Sequence, residues 1–155
     1  MKSILILDNI RSAENVGSLF RTADAVGIEH IYLVGITPSP IDRFGRPCSK
    51  IAKTALGAEQ RIAWSAHSNA TTLVQALQKE GWYCVAIEQS PQSVDYKTIG
   101  EHDAIACIVG NEVAGITPDV LDVVDAIAEI PMAGTKESLN VAVAGGVALF
   151  RILNK

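Results

Sequence analysis

The sequence predicts an α/β fold: a mostly parallel sheet with helices on both faces. Near-continuous apolar runs at Ser3–Leu7 (SILIL), His30–Gly35 (HIYLVG), Trp82–Ile87 (WYCVAI) and Ala104–Val109 (AIACIV) read as strands buried on both faces. Stretches of helical spacing alternate with them, the pattern of a parallel sheet built from crossover units. No G-x-G-x-x-G follows the first run, so the fingerprint of an ordinary dinucleotide-binding fold is missing. With 155 residues, 48% hydrophobic and 19% charged, the chain has the length and apolar content for one ordinary globular domain.

After the first strand, Asn15 is a good N-cap, and Val16, Leu19, Phe20, Ala23 and Val26 share one helical face until Gly27 stops the helix. Arg21 projects from the opposite face, with Gly17 one turn before it leaving room for a bulky group. After strand two, residues 36–47, with prolines and a glycine, predict an extended loop. A short helix is expected over Cys48–Leu56, ending at Gly57, and a third strand over Arg61–Trp64. Asn69 caps a helix through Leu73, Leu77 and Lys79, closed by Gly81. Trp82–Ile87 is strand four, Glu88–Gly100 a polar connection and Ala104–Val109 strand five, ending in the turn Gly110-Asn111-Glu112. Thr117 caps a short helix over Pro118–Val123, and Ala126–Ile130 is a sixth strand.

Composition narrows the function. No apolar run of about 18 residues occurs, and MKSILILDNIR is not a secretion signal, so a cytoplasmic protein is expected. Cys48, Cys84 and Cys107 lack C-x-x-C spacing and read as reduced thiols. His30, His67 and His102 lack metal-ligand spacing, and no metal is assigned. A net charge of −4 argues against gripping nucleic acid by overall electrostatics. A local footprint is still available, because Arg43, Arg46, Lys50, Lys53 and Arg61 put five positive charges within nineteen residues. The alternative reading of that stretch is a solvated loop.

The most informative stretch is IPMAGTKESLNVAVAGGVALF, residues 130–150. Val141–Phe150 carries no charged or hydrogen-bonding side chain, and Leu139, Val143, Val147 and Phe150 recur at helical spacing, which predicts a buried helix. Gly145 and Gly146 each cost about 1 kcal/mol in a helix and imply a closely packed neighbouring backbone. Gly134 to Asn140 place polar groups at the helix entrance, where unpaired N–H groups can hold a polar ligand.

IPMAGTKESLNVAVAGG resembles the last signature motif of the SpoU (TrmH-like) branch of the SPOUT RNA 2'-O-ribose methyltransferases. ENVGSLFRTADAVGI, residues 14–28, resembles the family's first motif, with Asn15, Gly17 and Arg21 in order, and IVGNEVAGI, residues 108–116, resembles the second. The resemblance implies one SPOUT domain over residues 1–155, without a substrate-binding extension. Its C-terminal helix would be threaded into a deep trefoil knot, against the general rule that chains are unknotted. It further implies a homodimer with the site at the subunit boundary. S-adenosyl-L-methionine would be held by Ile87, Gly110, Ile130, Met132 and Leu139. Arg21 would be the catalytic arginine, supported by Asn15, Glu112, Ser138 and Asn140; the expected RNA contacts, Arg43, Arg46, Lys50 and Lys53, come from the charge cluster itself. Because a guanidinium stays protonated, Arg21 is a poor general base. It either takes the hydroxyl proton with help from substrate phosphate, or binds that phosphate and stabilises the developing alkoxide. Transfer RNA is the favoured substrate. The competing expectations are a ribosomal RNA enzyme, a methyltransferase acting on a base nitrogen or on a non-RNA substrate, and a non-catalytic knotted RNA-binding factor.

Overall fold

A computed structural model describes residues 1–155. Seven strands form one sheet: β1 (Lys2–Asp8), β2 (His30–Val34), β3 (Ala63–His67), β4 (Tyr83–Ile87), β5 (Val94–Asp95), β6 (Ala104–Val109) and β7 (Ala126–Glu129). Their order is β3-β2-β1-β6-β4-β7-β5, and every neighbouring pair is parallel. The apolar runs earn this placement, because β1 and β6 lie at the centre and are buried almost from end to end. On one face, α1 (Ala13–Val26), α2 (Ser49–Ala55), α3 (Ala58–Arg61) and α6 (Val141–Ile152) enclose the larger core around Leu5, Leu7, Leu19, Phe20 and Leu149. On the other, α4 (Ala70–Lys79) and α5 (Pro118–Leu121) cover Ile4, Ile6, Ala86 and Ile108. No helix is long and apolar enough to cross a membrane. The cysteines are free thiols, and burial pushes those of Cys84 and Cys107 up to about 12.

Several local expectations change. The N-cap of α1 is Ser12, whose hydroxyl accepts from the Asn15 N–H at 3.2 Å, so the Asn15 side chain is free for other partners. Gly17 is buried against α2, where a Cβ would fall onto Thr54 Oγ1 and the Ile51 carbonyl oxygen. Its lack of a side chain therefore serves helix packing and clears no space beside Arg21. The third strand starts at Ala63 rather than Arg61, since residues 58–61 close a helical turn first. The polar connection after β4 contains β5 and the 3-10 turn Tyr96–Thr98. Thr117 stands at the start of α5 but its side chain makes no capping bond there.

The last helix departs most from expectation. Gly145 does sit close to α1, with a Cβ 2.7 Å from Leu19 Cδ2, whereas at Gly146 a Cβ would meet only Thr22 at ordinary contact distance. One face, Ala148, Leu149 and Ile152, is buried. The other leaves Val143 52%, Val147 39% and Phe150 43% exposed, so the helix is enclosed on one side only, and Leu139, just before it, is 39% exposed.

The packing at Gly17 is directly testable. Gly17→Ala is expected to lower the unfolding free energy by about 1–3 kcal/mol, because Thr54 and the α2 backbone must shift to admit a methyl group. Urea unfolding measures it, and an unchanged midpoint would mean the two helices are not held this close.

Candidate active site

Three segments distant in sequence meet beyond the carboxyl ends of the strands, where open parallel sheets bind ligands. The turn after β6 supplies Glu112. Its Oε2 accepts from the Arg11 N–H and its Oε1 from the Ser12 N–H, both at 3.0 Å, and Oε1 also accepts from Asn15 Nδ2 at 3.2 Å. The carboxylate thus occupies the amino end of α1, where unpaired N–H groups and the helix dipole favour a negative charge. Burial alone would raise the Glu112 carboxyl. The N–H groups of Arg11, Ser12 and Glu112 itself, with the Asn15 amide, outweigh that and hold its pKa below the usual value.

Asn15 then reaches the third segment, its Oδ1 accepting from Asn140 Nδ2 at 3.2 Å. Asn140 is also the N-cap of α6, accepting from the N–H groups of Ala142 at 2.9 Å and Val143 at 3.2 Å. Ser138 caps nothing, since Asn140 fills that place, and it lines the cleft without a hydrogen bond of its own. The amide pair and the carboxylate form a continuous chain from α6 through α1 to the turn after β6.

Behind this chain lies a cleft of about 230 Å³. Its wall includes Ile87, Gly110, Glu112, Ile130, Met132, Ser138, Leu139 and Asn140. All five residues expected to hold a cofactor are therefore in one wall, together with three of the five expected around the chemistry. Asn15 stands just outside, bonded to two of them. Arg21 does not line the cleft: it is exposed on α1 and makes no hydrogen bond or ion pair within the chain.

Among the wall residues that the sequence did not single out are Glu88, Gln89 and Glu129, ordinary polar positions at or just past the end of a strand. Glu88 accepts from the N–H groups of Gln89 at 2.9 Å and Ile116 at 3.0 Å, tying the β4 end to the turn after β6. Gln89 Nε2 donates to the Glu137 carbonyl at 2.7 Å, which fastens the segment before α6 across the cleft mouth. Glu129, at the end of β7, has no side-chain hydrogen bond. Their signal was position, immediately past or at a strand's carboxyl end. Gly110 is required by the turn itself, since a Cβ would lie 2.7 Å from the Ile116 nitrogen and 2.8 Å from the Gly115 carbonyl carbon.

The basic stretch is divided. Arg46 pairs with Asp42 at 2.9 Å and Arg61 with Asp24 at 3.0 Å, while Arg43, Lys50 and Lys53 form no ion pair.

The fold has known counterparts. An AdoMet-bound rRNA methyltransferase from Sinorhizobium meliloti shares the fold with a TM-score of 0.88 at 31% identity, covering 99% of this chain and 56% of that one. A structure described as giving insight into 2-OH methylation of C/U34 on tRNA matches with a TM-score of 0.78 at 25% identity, covering 97% of this chain and 93% of that one. A Staphylococcus saprophyticus protein assigned to the TrmH family of tRNA/rRNA methyltransferases is 28% identical over 155 residues, all of this chain and 59% of its own length. The chain thus spans about six tenths of the curated relatives it matches. The fold is accordingly one that solved RNA methyltransferases use. The sequence profile of the SpoU rRNA Methylase family matches residues 2–150, and the chain belongs to that family.

Because the folded Glu112 carboxyl titrates below its unfolded value, its stabilisation is present above the usual carboxylate range and is lost as pH falls through the lowered value. Glu112→Gln should lower the unfolding free energy by about 1 kcal/mol at neutral pH, the low end for bonds to a charged group because this one faces solvent. The deficit should shrink in acid. Urea unfolding in neutral and acidic buffer tests this, and equal deficits in both would remove the charge from the explanation.

Proposed function

We propose that the protein transfers a methyl group from S-adenosyl-L-methionine to a ribose 2'-hydroxyl of RNA, with transfer RNA favoured over ribosomal RNA. The observation that carries this reading is the hydrogen-bonded chain Asn140–Asn15–Glu112 at the mouth of a cleft walled by three strand ends. The cleft suits the cofactor on chemical grounds. Ile87, Ile130, Met132, Leu139, Val141 and Ala144 offer apolar surface for a flat base, and the free Glu129 carboxylate offers an acceptor for hydroxyl or cationic groups. When bound, S-adenosyl-L-methionine supplies an electrophilic methyl group.

The remaining work belongs to the chain. Ser138 and Asn140 stand where a ribose would approach, and the Asn140 carboxamide is held in orientation by Asn15 and by its capping bonds. Glu112 fixes Asn15 and the amino end of α1, and so sets the geometry of the whole mouth. Arg21 is the cation assigned to the substrate phosphate and to the charge developing on the 2'-oxygen.

Since Arg21 lies outside its own chain's cleft, the reading requires a second copy to bring it there. Two observations support a homodimer. Val143, Val147 and Phe150 form an exposed apolar stripe along α6, with the exposed Leu139 just before it. Beside it on α1, Ser18, Arg21 and Ala25 share a solvent-facing strip. A trefoil knot with α6 as the threaded element, an RNA footprint at Arg43, Arg46, Lys50 and Lys53, and a cytoplasmic location complete the proposal.

Incubation with total RNA and methyl-labelled donor, followed by nucleoside mass spectrometry, tests the reaction. Methyl on ribose is the expected product, and methyl on a base, or none, overturns it. Arg21→Ala should reduce turnover by about a hundredfold or more while donor affinity, measured by calorimetry, stays within about twofold. Mixing Arg21→Ala with Asn140→Ala should restore up to about a quarter of wild-type turnover, since half of randomly re-paired dimers carry one intact site. A mixture no more active than its parts would place Arg21 and Asn140 in the same subunit's site.

A further inference from the structure

Between β2 and α2 the chain makes a tight hairpin whose tip carries an exposed aromatic ring. Ile41 and Pro47 pair across it, and the Cys48 N–H donates to the Pro40 carbonyl at 2.9 Å. At the tip, Asp42 Oδ1 accepts from the N–H groups of both Phe44 and Arg46 at 2.9 Å, and Oδ2 accepts from Arg46 Nε at 2.9 Å. The Asp42 N–H donates in turn to the Arg46 carbonyl at 2.9 Å. A turn with this many internal bonds holds its conformation before any ligand arrives. What it holds out is Phe44, 66% exposed, with the guanidinium carbons of Arg43 and Arg46 at 4.8 and 4.9 Å from the ring centroid.

A single exposed hydrophobic residue is ordinary. Three things distinguish this one: its rigid mount, its two cationic neighbours in a chain of net charge −4, and two hollows, joined through α2, that lead toward it from the cleft. Glu112 and Val113 line both the cleft and an adjoining hollow that reaches Lys50. Lys50 belongs to α2, whose N-cap, Cys48, lines a further hollow of about 540 Å³ together with Ser39, Arg43, Phe44 and Arg46. The path from cleft to ring thus passes a carboxylate-anchored turn, then a lysine, then two arginines.

From this we infer that Phe44, flanked by Arg43 and Arg46, is a stacking platform for an unpaired base flanking the ribose held in the cleft. The inference rests on the RNA methyltransferase reading and deepens it, assigning the substrate a single-stranded segment at the site rather than a continuous duplex. Every base has a face that an aromatic ring or guanidinium plane can cover, whereas bases paired inside an A-form helix are inaccessible to it. The cations hold the backbone on either side through phosphate contacts that carry no sequence information.

The test compares wild type, Phe44→Ala and Phe44→Trp for binding a fluorescein-labelled single-stranded RNA of about 15 nucleotides and its duplex, by anisotropy across a salt series. Phe44→Ala should weaken single-strand binding by about tenfold with the salt slope unchanged, and should alter duplex binding less than about twofold. Phe44→Trp should stay within about threefold of wild type on the single strand. The platform is overturned if Phe44→Ala binds the single strand as wild type does, if it loses single strand and duplex alike, or if wild type does not bind the single strand. Donor-dependent methylation of total RNA by wild type, measured alongside, keeps the two ideas apart. Methylation by wild type with unaltered single-strand binding in Phe44→Ala removes the platform and leaves the enzyme. Absence of any methylation by wild type removes the enzyme.

Discussion

One carboxylate decides the shape of the site. Glu112 accepts from two backbone N–H groups at the start of α1 and from the Asn15 amide, across a sequence separation of 97 residues between the two side chains. Asn15 hands the connection on to Asn140, another 125 residues away. Removing the carboxylate would leave the N–H groups of Arg11 and Ser12, just before α1, without their protein partner and Asn15 without its anchor, so the amide pair joining α1 to α6 would lose its fixed orientation. Hydrogen bonds of this kind contribute little each to net stability, but they fix orientation, and orientation is what positions a reacting group.

The legible parts of the sequence were those whose burial is uniform. β1, β2, β4 and β6 could be read from apolar runs because both faces of the sheet are covered there. β3 (AWSAH) lies at the sheet edge, half exposed, and carries no run or clean alternation, so its boundary slipped. β5 pairs only two residues with β7 and gave no periodic signal at all. At the start of α1, both Ser12 and Asn15 are good caps, and only the position of Glu112 across the fold decides that serine caps and asparagine reaches outward. Gly17 shows the same limit: its spacing from Arg21 gave a helix face, and the neighbour on that face turned out to be α2.

Within the site, the motifs at residues 108–116 and 130–146 collected most of the cleft wall, because they lie just beyond the carboxyl end of a strand and at the start of a helix, while the motif at 14–28 supplies Asn15 just outside it. Glu88 and Gln89 belong to no such motif, yet they brace the β4 end against two other segments. Arg21 exposes a different boundary. Periodicity places a residue on a helix face but cannot say whose cleft that face serves when a second copy is present. The two sides of α6 make the same point, since uniform hydrophobicity along its sequence concealed one side packed on α1 and one open to solvent.

The strand order carries a consequence for how the chain comes to its shape. β1, made first, sits between β2 and β6, and β6 is complete only at residue 109. During synthesis a buried central strand therefore waits with one hydrogen-bonding edge unfilled until residue 109 has emerged, and α6 follows only after all seven strands. Such distant pairings are slow to assemble and leave an open edge to which other chains can add. Interrupted translation products should thus be sticky, and a fragment ending before β6 is a poor starting point for building a smaller version of this protein.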